Sequence, residues 1–370
     1  MGKSRNILSW CLFPITMWYA IGVWFRNRMF DLSILRSESA NATTISVGNL
    51  ACGGTGKTPH VEYLIALLGN TYSTALLSRG YKRQTKGFVL ADDEHRNSHA
   101  LGDEPAMIAN KHTNITVAVC EKRVEGANKL LELENPPQLI LLDDAFQNRY
   151  IKPNINILLT EYGHPYYNDH VIPFGNLRES RKENSRADII VVTKTPKSLN
   201  SIERYNIQLN LKPKPYQKVF FSYLDYGDIT PLMGGRILEL KGIERIVLVT
   251  GIVHPEPLVA HLSGRCRVKH LCFPDHHDFT AEDIGKIKQA FDSLNGEKKI
   301  ILTTEKDAAR IMHQIEQNSN EWKDLPLYYI PVEVKFHSNH DYNFDEVICS
   351  KVKENISFKK FQNTLTPPIP

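Results

Sequence analysis

Residues 45–59 read Ile-Ser-Val-Gly-Asn-Leu-Ala-Cys-Gly-Gly-Thr-Gly-Lys-Thr-Pro, an apolar strand that runs into a glycine-rich turn and then into a helix start. Few local patterns constrain a fold as tightly, because this is the layout of a phosphate-binding loop. In such a loop the span Ala51, Cys52, Gly53, Gly54, Thr55, Gly56, Lys57 and Thr58 wraps the phosphates of a nucleoside triphosphate. The glycines let successive backbone N–H groups turn inward, Lys57 reaches the outer phosphates, and the Thr58 hydroxyl takes a place on Mg²⁺. The strict pattern G-x-x-x-x-G-K-[ST] fails at its first position, where Ala51 stands. Context restores it: 44–50 is strand-like, Pro59 suits a first helical turn, and Val61, Leu64, Ile65 and Leu68 recur at helical spacing.

At 370 residues the chain is long for one compact core, so two domains or one domain with a large insertion are expected. A formal net charge of +4 is too mild to imply nucleic acid, and no obligate protein partner is evident. Six cysteines are scattered without a C-x-x-C pair, which argues against a zinc site or a disulfide framework. Residues 7–25 form an uncharged run with three of the four tryptophans, flanked by Lys3, Arg5, Arg26 and Arg28. Its length reaches the lower limit for spanning a bilayer, but Pro14 interrupts it and its aromatics favour the headgroup zone. An interfacial helix is preferred over a true span.

After this segment, apolar runs of strand length alternate with helical patterns, which predicts an α/β fold built on a parallel sheet covered on both faces. Strands are expected at 43–48, 74–78, 115–120, 138–143, 155–160 and 188–193, with helices after the loop and at 104–111 and 124–133. Residues 218–226 read as an extended connection rather than another crossover. A second, smaller α/β series begins at 245 and includes a helix that opens on the capping box Thr280-Ala-Glu-Asp283, a strand at 327–334 and a last helix at 344–356. The expected organisation is therefore a membrane-anchoring helix at 1–30, a P-loop domain at 31–215, a linker at 216–244, a second domain at 245–357 and a loose tail at 358–370.

The run Gln138-Leu-Ile-Leu-Leu-Asp-Asp144 places two carboxylates at the end of a buried strand. In a parallel sheet that end faces the same crevice as the phosphate loop, so Asp143 or Asp144 can hold Mg²⁺ together with Thr58. Further clusters occur at Ser78-Arg-Gly-Tyr81, Gly102-Asp-Glu-Pro105, Gly175-Asn-Leu-Arg-Glu179 and Phe273-Pro-Asp-His-His-Asp-Phe279. Neighbouring His276 and His277 do not make a metal site, since adjacent side chains seldom point at one ion.

Taken in order with Val47-Gly-Asn-Leu50, Leu142-Asp-Asp-Ala-Phe-Gln147, Val192-Thr-Lys194 and Thr304-Glu-Lys-Asp307, these motifs resemble the tetraacyldisaccharide 4'-kinase family of lipid A biosynthesis, from the first helix nearly to the end of the chain. The resemblance implies transfer of the ATP γ-phosphate to the 4'-hydroxyl of a tetraacylated glucosamine disaccharide 1-phosphate, a glycolipid, at the cytoplasmic face of a bacterial inner membrane. It implies Asp103 as catalytic base, supported by His276, with Lys57 and Mg²⁺ neutralising charge on the transferring group. It further implies Arg79, Tyr81, Asn176, Arg178 and Glu179 as residues that hold the phosphorylated sugar. The family's Asp-Asp-Gly/Ala-Phe-Gln-His element ends here in Asn148, so no histidine role carries over at that position. His276 is preferred over His277 because it follows the motif aspartate directly. The competing function is a membrane-associated P-loop NTPase that switches or delivers a partner; the absence of an N-K-x-D guanine-reading motif and the presence of Asp103 weigh against it.

Overall fold

The computed structural model describes residues 13–365 apart from 253, 276, 278, 318–321, 323–324 and 339–341. The chain opens with α1 (Phe13–Asp31), then β1 (Thr43–Asn49), α2 (Lys57–Leu68), β2 (Thr74–Ser78), β3 (Val89–Leu90), α3 (Ser98–Leu101), α4 (Asp103–Lys111), β4 (Thr116–Val119) and α5 (Arg123–Leu131). It continues through β5 (Leu139–Asp143), β6 (Ile155–Glu161), β7 (Ile189–Thr193), α6 (Ser201–Leu211) and β8 (Lys218–Tyr226). Beyond these lie β9 (Thr230–Pro231), β10 (Arg245–Thr250), α7 (Glu256–Ser263), β11 (Arg267–Cys272), α8 (Ala281–Asp292), β12 (Lys299–Thr304), α9 (Glu305–Gln317), β13 (Leu327–Ile330), β14 (Val332–Phe336) and α10 (Phe344–Leu365).

Two compact units result, residues 1–224 with 334–370 and residues 225–333. The first is built on a nine-stranded sheet in the order β14-β8-β7-β6-β1-β5-β2-β4-β3, parallel from β8 through β4. Every residue of β1, β2, β5 and β7 is buried, as expected of parallel strands covered on both faces. One face packs Ile45, Val47, Leu141 and Ile157 against Val61, Leu64 and Leu68 of α2 and Ile348 and Val352 of α10. The other face divides into a cluster under α5 and one around Phe146, Leu158, Leu177 and Leu211. Between β1 and the loop after β5 the backbones are so close that a Cβ on Gly48 would lie 2.6 Å from that of Phe146, which leaves room only for glycine. The second unit carries a five-stranded sheet, β11-β10-β12-β13-β9, with β9 antiparallel to β13. The Thr280–Asp283 capping box forms as expected at the start of α8.

Three expectations require correction. Residues 218–226 form β8, parallel to β7 and reached through the crossover helix α6, rather than a free connection. The helix escapes notice because Ile202, Tyr205 and Leu209 face outward and blur its amphipathic period, while a capping box between Asn200 and Glu203 starts it. The strand expected at 327–334 breaks at Pro331 into β13 and β14, one in each sheet. Finally, α10 packs on the first unit and runs through Leu365, so the last helix belongs neither to the second domain nor, from 358 to 365, to a loose tail.

Candidate active site

The phosphate loop sits between the end of β1 and α2, at the carboxyl end of the large sheet. Gly53 and Gly56 take positive φ values of 120° and 85°, a backbone conformation that costs glycine little. The loop is held from several sides. Ala51 pairs with Leu177, the Cys52 N–H donates to the Asn176 carbonyl at 2.7 Å, and the Thr193 hydroxyl donates to the Thr55 carbonyl at 2.9 Å. Lys57 lies on the first turn of α2 with its Nζ 3.4 Å from Asn49 Oδ1 and 3.7 Å from Asp144. Thr58 follows it, half-buried.

Asp143 and Asp144 close β5. Asp143 is buried; its Oδ2 accepts from the Ser78 hydroxyl at 3.0 Å and its Oδ1 has no hydrogen-bond partner. Burial, then the negative charges of Glu104 and Asp144, push its carboxyl up to about 6. Asp144 adopts a left-handed φ of 45° and receives the Arg178 guanidinium on both oxygens at 3.1 Å. Burial opposes its ionisation, but Lys57 and Arg178 hold its carboxyl below the usual range. The end of β5 is fastened by Arg123, 2% exposed, which donates to the carbonyls of Cys120 at 2.7 Å and Asp143 at 3.0 Å. A buried arginine in a helical run carries no signature that separates it from a solvated one, so the sequence does not single it out.

Asp103 and Glu104 open α4, both half-buried, and the influence of Glu104 on Asp143 places this helix start beside the acidic pair. The Arg79–Tyr81 turn packs on the same point, since a Cβ on Gly102 would meet the Tyr81 carbonyl at 2.7 Å. Arg79 and Tyr81 are exposed. Asn176 is exposed and braced by Asp169, whose Oδ2 accepts from its amide at 3.1 Å. Glu179 differs from these: it is 1% exposed, its carboxylate is paired with Arg186, and Arg26 of α1 stands 4.0 Å away. Its surroundings are those of a residue that fastens α1 rather than one open to a ligand. His276 lies outside the described residues. Its neighbour His277 is engaged within its own unit, its Nε2 2.8 Å from Asp283 Oδ2 and its ring stacked on Phe273.

The helix α1 runs along the two loops that carry Asp144, Gln147 and Arg178. Thr16 accepts from the Phe174 N–H at 3.0 Å, the Tyr19 hydroxyl donates to the Arg178 carbonyl at 3.1 Å, and Arg26 donates to the Gln147 carbonyl at 3.0 Å. Asn27 offers its carbonyl to Arg149 at 2.8 Å. Thus the helix buries a polar stripe, including Thr16 and Asn27, and exposes Ile15, Trp18, Ile21, Trp24 and Phe25, the reverse of a helix seated on a soluble core. Among the described residues no helix is long and apolar enough to cross a membrane.

Among the described residues no three His, Cys, Asp or Glu side chains gather as a metal cluster. The residues present nonetheless fit Mg²⁺, which commonly takes only one or two protein carboxylates and leaves its other positions to water and phosphate. The unpartnered buried Asp143 oxygen and the Thr58 hydroxyl are such a donor set.

A parallel α/β sheet with a glycine-rich loop between its central strand and the next helix, faced by an acidic strand end, defines a P-loop nucleotide-binding protein. A family model described as "Tetraacyldisaccharide-1-P 4'-kinase" matches residues 8–353, and the chain belongs to that family. It is 42% identical over 362 residues to the tetraacyldisaccharide 4'-kinase of Bacteroides fragilis, with 95% of each chain covered. Identity to the Flavobacterium johnsoniae protein of the same name is 43% over 353 residues, covering 95% of this chain and 99% of that one. A crystal structure of LpxK from Aquifex aeolicus in complex with ATP superposes with a TM-score of 0.71 at 27% identity, covering 95% of this chain and 99% of that one.

Proposed function

We propose that this chain is an ATP-dependent tetraacyldisaccharide 4'-kinase, transferring the γ-phosphate to the 4'-hydroxyl of a tetraacylated glucosamine disaccharide 1-phosphate to form lipid IVA in lipid A biosynthesis. The observation that carries this reading, beside the family, is the meeting of the phosphate loop, the Asp143–Asp144 strand end and the first turn of α4 at one end of the sheet.

In this reading the loop amides from Ala51 to Thr58 wrap the ATP phosphates, and Lys57 turns from Asp144 toward the β- and γ-oxygens. Mg²⁺, held by Asp143 and Thr58, supplies charge neutralisation on the phosphates. Asp103 takes the proton of the 4'-hydroxyl as its oxygen attacks the γ-phosphorus; the phosphorus–oxygen bond to ADP breaks, and the electron pair leaves with ADP. The family resemblance gives His276 the supporting part, and the commitment of His277 to Asp283 favours His276 over its neighbour. Arg79, Tyr81, Asn176 and Arg178 hold the sugar and its 1-phosphate, Arg178 through a guanidinium suited to phosphate geometry. The exposed aromatic face of α1 lies in the interface of the cytoplasmic leaflet, which brings the Arg178 loop to the lipid headgroups.

The test is phosphate transfer from labelled ATP to a tetraacyl disaccharide 1-phosphate in detergent micelles with Mg²⁺. Labelled lipid that disappears with Lys57→Ala is the expected result. ATP hydrolysis indifferent to lipid, with no labelled lipid, would replace the kinase by an NTPase switch.

A further inference from the structure

Besides the Thr55 carbonyl held by Thr193, a second carbonyl of the phosphate loop, that of Gly56, is gripped by a side chain from inside the protein. His60, on the first turns of α2, is 4% exposed, and its Nδ1 lies 2.7 Å from the Gly56 carbonyl oxygen. Its other nitrogen, Nε2, lies 2.9 Å from the Ser222 hydroxyl on β8. A carbonyl can only accept, so Nδ1 carries the hydrogen, and Nε2 is left to accept from Ser222. Burial keeps the ring neutral, its pKa pushed down to about 4, which preserves this division of roles at physiological pH. The ring is further wedged edge-on against Phe336 of β14, centroids 6.0 Å apart.

The consequence follows from peptide geometry. The Gly56 carbonyl and the Lys57 N–H belong to one planar trans peptide and point in opposite directions. Gly56 sits at φ 85° with no side chain of its own, and the backbone bond its carbonyl accepts from the His60 N–H is long, 3.3 Å, so the shorter ring bond adds most to holding that peptide. Pulling its oxygen inward turns the Lys57 N–H outward, toward the face where a phosphate loop meets phosphate.

We infer that His60 is a positioning residue for nucleotide binding, a neutral strut from Ser222 that fixes the Gly56–Lys57 peptide with its N–H presented to the ATP phosphates. The inference rests on the nucleotide-binding reading of the loop. It concerns ground-state binding of ATP and not the acceptor lipid.

Two amide substitutions one methylene apart separate the strut from mere packing. In His60→Asn the amide nitrogen occupies the position of Nδ1 and donates to Gly56; in His60→Gln the amide reaches toward Ser222 and leaves the Gly56 carbonyl with only the 3.3 Å backbone bond from residue 60. ATP binding is measured by calorimetry on the full-length protein, with thermal unfolding of each variant alongside. The Asn variant is expected to stay within about threefold of wild-type affinity and the Gln variant to weaken about tenfold, the scale of one hydrogen bond. The KM for lipid should be unchanged in both. Equal affinities, the reverse order, or losses that track the unfolding temperatures instead of the Gly56 bond would overturn the strut. Should the Gln variant not fold, His60→Leu takes its place with the same expected loss. Absence of ATP binding by the wild type would sink the nucleotide reading itself, whereas wild-type binding with indistinguishable variants would sink only the role of His60.

Discussion

Asp143 and Asp144 are neighbours in the chain but occupy opposite electrostatic settings. Asp144 is turned by its left-handed backbone onto Lys57 and Arg178, while Asp143 stays in the strand with one oxygen on Ser78 and the other unpartnered. Two cations already satisfy Asp144, and a buried carboxylate with an open oxygen is the better place for a third positive charge. Asp143→Asn should therefore raise the Mg²⁺ concentration needed for half-maximal kinase activity by about tenfold or more, and Asp144→Asn should raise it less. Magnesium titrations of phosphate transfer decide between the two; a larger shift from Asp144→Asn would reverse the assignment.

Asp103 stands at the first turn of α4, half-buried beside the strand-end acids. Removing a general base typically costs about 10²–10⁴ in rate. Asp103→Ala should lower kcat by that order while ATP affinity stays within about threefold, since the assigned base acts on the acceptor hydroxyl. A kcat within about threefold of wild type would remove Asp103 from the chemistry.

The outward face of α1 carries Trp18 and Trp24, 72% and 62% exposed. Replacing both by Glu should release the protein from anionic vesicles in a sedimentation assay and raise the apparent KM for bilayer-embedded lipid. ATP binding should not change, because the helix is tied to the site through Thr16, Tyr19 and Arg26 on its other face. Undiminished vesicle binding would refute the interfacial role.

Stability of the second unit should depend on pH through Asp283. Burial opposes its charge, but hydrogen bonds from His277 and from the Thr280 N–H and hydroxyl outweigh that and hold its carboxyl down to about 2. Its folded pKa lies below the unfolded value, so the stabilisation is present above about 4 and is lost as pH falls toward 2. Asp283→Asn should cost about 1–2 kcal/mol at pH 7, the scale of a lost helix cap. In urea titrations the gap between variant and wild type should narrow at pH 3; a gap of constant size would show that ionisation is not what matters.

Much of this molecule is local and is written locally. The strands at 74–78 and 139–143, the glycine turn before α2 and the capping box at Thr280 follow from short-range sterics, apolar runs and side-chain-to-backbone bonds, which need no knowledge of distant chain. The glycine loop from Gly53 to Thr58 is legible because phosphate binding demands those residue types at that spacing, and the order of the further motifs out to Asp307 identified the family.

What only the tertiary structure decided are the pairings across long separations. Glu179, grouped with the sugar-holding residues by its motif, is buried against Arg186 and α1 because the site wall must be fastened where the helix docks. The contact of His60 with Ser222 spans 162 positions, and α10 returns to the first sheet after more than a hundred residues spent in another unit. α1 is a hydrophobic run in sequence, but its division into a docked polar stripe and a free aromatic face depends on which loops lie beneath it. A sequence pattern fixes which face of an element is apolar; which partner satisfies a polar group is settled by the packing of elements far apart in the chain.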